Sequence, residues 1–183
     1  MPLETHKKVR ELIEASIQDS AFNFDNYFTV VSSPEFLAEG CAIRNLTRPD
    51  RIVIGTPTNH PNGPLAFKIM QSLYKAFPCP LLHTHTSSSE LGKLFSNAML
   101  AQRISSINSL SSLCEQTEGA SIQDLKNIAG SDQRIGNAFL NASPGFGGSC
   151  FEKDIMSLVY ILESRGLQVE ADYWKQVLKI NDH

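Results

Sequence analysis

The sequence predicts a chain that is α/β over its first part and all-α afterwards. Three observations carry this reading. Strand-like and helix-like stretches alternate as far as Thr84. From Ser87 onward every periodic stretch has helical spacing. Between Ser87 and Glu118, Gly92 is the only glycine or proline. The division is placed between domains 1–85 and 86–183.

The elements follow in order. Val9, Leu12, Ile13 and Ile17 stand at helical spacing within His6 to Ile17. Tyr27-Phe28-Thr29-Val30-Val31 and Arg51-Ile52-Val53-Ile54-Gly55 are β-branched and aromatic runs that read as strands. Pro64 to Phe77 reads as a helix with proline near its start. Leu81 to Thr84 reads as a third strand. One long helix is expected over 87–118. Its middle is apolar nearly all round, with Leu94, Phe95, Ala98, Met99, Leu100, Ala101, Ile104 and Ile107. Such a helix is expected to be buried, against its own chain or a second copy. Gly119 ends it, and Ser121 caps a shorter helix. Ser143 to Gly148 is a break. A helix with Phe151, Ile155, Leu158, Val159 and Leu162 on one face follows, closed by Gly166. A last helix carries Trp174, Val177 and Leu178.

Composition narrows the function classes. The 183 residues are 42% apolar and 19% charged, with a formal net charge of −3. That is enough apolar content for a core and too much for disorder. The charges are mixed, so no basic patch points to nucleic acid. No apolar run nears the ~20 residues of a membrane span, and Met1 to Lys8 has no apolar signal core. Four widely spaced cysteines, Cys41, Cys79, Cys114 and Cys150, form neither a metal knuckle nor a disulfide framework. They read as reduced thiols in a cytoplasmic protein, and no metal site is expected. His83 and His85 alternate around a strand end without a third ligand.

The segment Gly145 to Asp154 is the richest in chemistry. Its glycines permit close approach of backbone to a ligand. The loop then opens a helix with Cys150 in or beside the first turn, where unpaired N–H groups favour a thiolate. Asp154 stands one turn further along the same face. A nucleophile with a neighbouring carboxylate suits covalent catalysis. Taken locally, the segment reads first as a buried, inert cysteine behind a glycine-rich turn. It matches neither the GxGxxG dinucleotide fingerprint nor a phosphate loop. Glu90, Lys93 and Asn97 form a second group at the start of the long helix. Lys93 there could meet a developing oxyanion or simply snorkel to solvent. Pro34 to Gly40 is a third group, following an expected strand, where open α/β sheets bind ligands.

Taken together, five segments resemble the UDP-glucose 6-dehydrogenases within the UDP-glucose/GDP-mannose dehydrogenase family, the eukaryotic type most of all. They are Ser33 to Gly40, Asn45 to Gly55, Glu90 to Asn108, Asp132 to Gly136, and Gly145 to Asp154. The resemblance runs in order along nearly the whole chain. It implies the C-terminal portion of a Rossmann-like NAD-binding domain followed by the helical central dimerisation domain. It implies oxidation of UDP-glucose to UDP-glucuronate with NAD as cofactor. Cys150 would be the nucleophile, forming a thiohemiacetal and then a thioester that water hydrolyses. Lys93 would stabilise the oxyanions with Asn97 beside it, Asp154 would position water, and Glu35 would be a general acid/base. Glu35, Phe36, Leu37, Ala38 and Glu39 would hold the sugar nucleotide together with Lys93 and Asn97. So would Asn141, Ala142, Ser143, Pro144, Gly145, Phe146 and Gly147. Arg134 would reach a neighbouring subunit's site in a homodimer or larger homo-oligomer built through the long helix. Glu39, Cys150, Phe151, Glu152 and Lys153 would lie near the nicotinamide.

The departures from the family pattern set further expectations. The chain lacks the glycine fingerprint, stops where the family continues, and has Asn141 where a lysine is usual. As a truncated chain it is therefore expected to be inactive alone. A non-catalytic dimerisation module and a sister nucleotide-sugar dehydrogenase, such as one acting on GDP-mannose, remain as alternatives.

Overall fold

The computed structural model describes residues 2–17, 23–58 and 60–183. Met1, where the first sequence-read domain begins, lies outside the described residues. The chain forms two compact units, one running to Lys93 and the other from Leu94 to His183.

The first unit holds helices α1 (Thr5–Ser16), α2 (Phe24–Tyr27), α3 (Ala42–Thr47) and α4 (Gly63–Leu73), and strands β1 (Ile52–Thr56) and β2 (Leu81–His85). The strands pair in parallel, from Ile52 opposite Leu81 to Thr56 opposite His85. Parallel neighbours need a crossover, and α4 supplies it. Ile54 is fully buried, and Ile52, Gly55 and Thr56 are buried with it.

The expected strand at 27–31 is not formed. Asn23 caps α2 by accepting from the Asp25 N–H. Phe28 closes that turn, its N–H donating to the Phe24 carbonyl at 2.9 Å. Only Ser32 meets the sheet, in a single antiparallel bridge to Gly55. The β-branched residues were a fair signal, but strand propensity yields to local turn closure where no ladder partner is present. Helix α4 also ends earlier than expected. Beyond Leu73 the bonds tighten, with Lys75 N–H donating to the Ser72 carbonyl and Phe77 N–H to that of Tyr74. Helix α1 forms as expected but buries none of its residues; Leu12 is 58% exposed.

Helix α5 (Thr86–Asn108) starts in the first unit and continues into the second. Its beginning explains Gly55. A β-carbon there would lie 2.6 Å from Ser89 Cβ and 2.9 Å from Thr86 Cα. Glycine inside a strand often marks such a close approach. Gly55→Ala is expected to cost about 1–3 kcal/mol from overpacking. Gly92→Ala, with open space around its β-carbon position, is expected to add up to about 1 kcal/mol of stability. Urea unfolding of the two variants should therefore shift in opposite directions.

The second unit is helical: the rest of α5, then α6 (Ser111–Glu115), α7 (Ile122–Ser131), α8 (Phe151–Ser164) and α9 (Gln168–Asp182). The long helix expected over 87–118 is broken at Ser109 and Leu110. Around the break Ser109 and Ser111 hydroxyls donate to the Ser106 and Asn108 carbonyls. Serine side chains offer the backbone this local alternative to helix. The expected all-round burial is also only partial. Leu94, Ala98, Ala101 and Ile107 are buried, whereas Phe95 and Met99 are exposed. Helices α8 and α9 form a hairpin closed by Gly166 at φ 73°. Leu167 N–H donates to the Leu162 carbonyl and Gly166 N–H to that of Glu163, a Schellman closure that requires a left-handed residue. The core joins Ala98 and Ala101 to Ile155, Leu158, Val159, Ala171, Trp174 and Val177.

Candidate active site

The candidate residues fall into two clusters, one in each unit. In the first unit the Phe36 ring is the centre. The Arg51 guanidinium carbon lies 4.0 Å from its centroid and Lys93 Nζ 5.2 Å from it. The ring face is electron-rich and attracts cations. Neither cation has a carboxylate partner among the described residues. Arg51 was missed by sequence reasoning, because a basic residue before a strand carries no signal of an aromatic partner elsewhere in the chain.

The rest of the 34–40 segment is open. It does not follow a strand, since Tyr27 ends α2 and 28–31 is irregular; it follows the single bridge at Ser32. Asn45 Oδ1 accepts from the Ala38 N–H at 3.0 Å, which fixes the turn before α3. Glu35, Leu37 and Glu39 are exposed.

Glu90, grouped with Lys93 from the sequence, has a different task. Its side chain is fully buried. Its carboxylate accepts from the Glu4 N–H at 2.7 Å and the His6 N–H at 2.9 Å, and it lies 3.0 Å from His6 Nδ1. It thereby satisfies open donors at the start of α1, where the helix dipole favours an anion. The two strand-end histidines are likewise engaged. His83 stacks on Phe67 at 3.8 Å and meets Thr56 Oγ1 at 2.8 Å. His85 Nδ1 accepts from the Ser87 N–H.

In the second unit Cys150 is the N-cap of α8 and is exposed. Its carbonyl accepts the Asp154 N–H at 3.0 Å, the first bond of the helix. Asp154 is only 3% exposed. Asn97 Nδ2 donates to its Oδ2 at 2.6 Å, and Lys153 Nζ lies 3.1 Å from its Oδ1. Asn97 is buried too. The structure thus brings together Asn97, Asp154 and Lys153, one turn from the Cys150 thiol. A buried carboxylate with both oxygens engaged is fixed in direction, as a group that orients water or a proton must be.

The loop before Cys150 is held from three sides. Phe146 N–H donates to Asn181 Oδ1 at 2.7 Å, and Asn181 Nδ2 returns a bond to the Phe146 carbonyl. Gly145, at φ 124°, leaves the room this clasp needs; a β-carbon would sit 2.7 Å from Asn181 Oδ1. Ser143 N–H donates to Asn108 Oδ1. Arg103 donates to the carbonyls of Gly136 and Ala138. Lys126 Nζ donates to Asn141 Oδ1 at 2.5 Å. Ala142, Ser143, Pro144 and Gly147 are exposed. Arg134 is exposed as well and clamps Asp132. That side-chain bond holds the Asp132 carboxyl below its usual range and raises the Arg134 guanidinium. The clamp is therefore whole above the ordinary aspartate range and opens only as pH falls through the lowered value.

The first turn of α8 carries Phe151, Glu152 and Lys153, and no side chain caps it. Its amides are donors for an amide or phosphate oxygen. A pyrophosphate cradle is a different matter. Helix α4 opens on Gly63, and a β-carbon there would meet the Pro57 carbonyl oxygen at 2.4 Å. That glycine serves chain packing. Among the described residues, open backbone donors stand at the start of α8 and no glycine-rich cradle stands before α4. Among the described residues, no three histidine, cysteine or acidic side chains gather as metal ligands.

Comparison with known proteins extends these observations. Residues 1–78 match the UDP-glucose/GDP-mannose dehydrogenase family, NAD binding domain, and residues 87–183 its central domain. UDP-glucose 6-dehydrogenase 1 of Glycine max is 52% identical over 158 residues, which cover 85% of this chain and 32% of that protein. UDP-glucose 6-dehydrogenase of Gallus gallus is 46% identical over 185 residues, covering 100% of this chain and 36% of that one. The chain spans about a third of the length of these relatives. A UDP-glucose dehydrogenase structure from Pyrobaculum islandicum superposes with a TM-score of 0.77 at 37% identity, over 85% of this chain and 34% of that one.

Proposed function

The chain belongs to the UDP-glucose/GDP-mannose dehydrogenase family, and we propose that it carries the substrate and thiol part of an NAD-dependent UDP-glucose 6-dehydrogenase. One observation carries the reading most directly. An exposed cysteine opens a helix one turn from a buried, doubly held carboxylate. NAD, when bound, would supply the hydride acceptor for the two oxidations. The chain's own residues do the rest. The Cys150 sulfur adds to the C6 aldehyde, forming a carbon–sulfur bond and an alkoxide. Lys93 offers its ammonium to that oxyanion, held in place by the Phe36 ring. Loss of hydride leaves a thioester. Water attacks it, the carbon–sulfur bond breaks, and the thiol is restored beside a new carboxylate. Asp154, with Asn97, orients that water, and Glu35 moves a proton. The loop 141–147 and residues 36–39 hold the sugar nucleotide. Glu39 and residues 150–153 would hold the nicotinamide end of the cofactor, and Arg134 would serve a partner copy.

Alkylation of Cys150 tests the substrate and the nucleophile together. UDP-glucose is expected to slow iodoacetamide labelling of Cys150, read on its peptide by mass spectrometry, and GDP-mannose is not. Equal protection by both, or by neither, would overturn the UDP-glucose reading.

A second reading is favoured by the exposure of Phe95 and Met99 on α5: the helix pairs with another copy of the chain, with or without catalysis. Elution as a lone monomer in size exclusion contradicts it. A cytoplasmic setting is supported by the free thiols of all four cysteines. No described helix is long and apolar enough to cross a membrane.

A further inference from the structure

The loop proposed to hold the sugar nucleotide has an electrostatic gap. From Ile135 to Glu152 there is no lysine, arginine or histidine. A nucleoside diphosphate brings at least two negative charges, which a loop without cations meets poorly. Lys126 closes the gap from α7. Its ammonium donates to Asn141 Oδ1 at 2.5 Å. Lys126 is half-buried and Asn141 exposed.

The chemistry of this pair is one-sided. An ammonium has three donor hydrogens and no acceptor, so the amide must turn its oxygen toward it. That engages one of the two lone pairs of the amide oxygen. What remains is mostly donors, two ammonium hydrogens and the Asn141 NH2 group, on a pair that carries a positive charge. The charge and the several donors suit an anion with several acceptor oxygens, since hydrogen bonds between ionised groups are the stronger ones. Neighbouring loop atoms are already committed, since Ser143 N–H is bonded to Asn108 and Phe146 N–H to Asn181. Arg103, the other cation at this segment, is bound to the Gly136 and Ala138 carbonyls.

We propose that Lys126 and Asn141 together form the donor site for the diphosphate of the sugar nucleotide. The inference rests on the reading that the loop 141–147 holds that nucleotide. Lys126 reaches Asn141 across fifteen residues of chain, from a different helix, so no local motif announces it.

Titration of UDP and of uridine into the 183-residue chain, followed by calorimetry, separates the two claims. Wild type is expected to bind UDP more tightly than uridine, and salt should narrow the difference. Lys126→Ala is expected to weaken UDP about three- to tenfold and leave uridine unchanged. Lys126→Arg should recover most of the loss. Asn141→Asp, which pairs the ammonium and turns a carboxylate toward the ligand, should weaken UDP at least as much as Lys126→Ala. Unchanged UDP affinity in Lys126→Ala, or an equal loss for uridine, overturns the diphosphate site while the nucleotide reading stands. Failure of wild type to bind either ligand overturns the nucleotide reading and this site with it.

Discussion

Trp174→Ala is expected to cost the helical unit about 3–5 kcal/mol, a large share of the stability of an ordinary domain. Trp174 is 9% exposed and stands in the core of α5, α8 and α9. Its ring meets the edge of Phe95 at 6.2 Å and of Tyr173 at 5.1 Å. The cavity left behind cannot readily collapse. Its neighbours Ala98, Ala101 and Ala171 are fully buried and already let the helices approach closely. Helices at that distance have little room to move further inward. Helical circular dichroism through a urea titration reads the effect without depending on tryptophan fluorescence. Tyr173→Ala, at 53% exposure, is expected to cost much less. A loss below about 1 kcal/mol for Trp174→Ala would contradict the central place given to this ring.

Asp154 gives the second large effect, and it separates structure from chemistry. Asp154→Ala removes the acceptor for Asn97 Nδ2 and leaves a buried amide without its partner. The expected cost is about 1–3 kcal/mol. Asp154→Asn differs. Its amide oxygen can still accept from Asn97, and the Lys153 contact it loses involves a lysine side chain that is 61% exposed, so less than about 1 kcal/mol is at stake. If Asp154 orients water for thioester hydrolysis, the asparagine variant folds normally yet releases product slowly. Urea midpoints paired with single-turnover release of acyl groups from Cys150 check both. Equal destabilisation by the two substitutions would remove the distinction.

The parts of the fold legible in the sequence were those governed by local rules. β1 announced itself as a short β-branched run, and β2 lies where Leu81 to Thr84 was read as a strand. Helix α7 was marked by Ser121, whose side chain does cap it. Helix α8 was marked by one apolar face and the glycine at its end. The break at Ser109 was not legible, because the same serines serve equally well inside a helix and at its end. Nor was the lost strand at 27–31, because strand propensity expresses itself only when a neighbouring ladder is offered.

The candidate site divides in the same way. Cys150 at a helix start and Asp154 one turn later follow from spacing alone, since a helix fixes where i and i+4 point. Glu90 shows the limit of that logic. Spacing grouped it with Lys93, and packing turned it to α1 as a cap. Arg51 beside Phe36, Asn97 beside Asp154 and Lys126 beside Asn141 are long-range meetings. By itself the sequence determined the class of fold, the order of most elements and the type of chemistry the 145–154 segment can support. Only the tertiary structure decided which cation meets which ring, carboxylate or amide. Side-chain partners are chosen by chain segments distant in sequence, and no local periodicity encodes them.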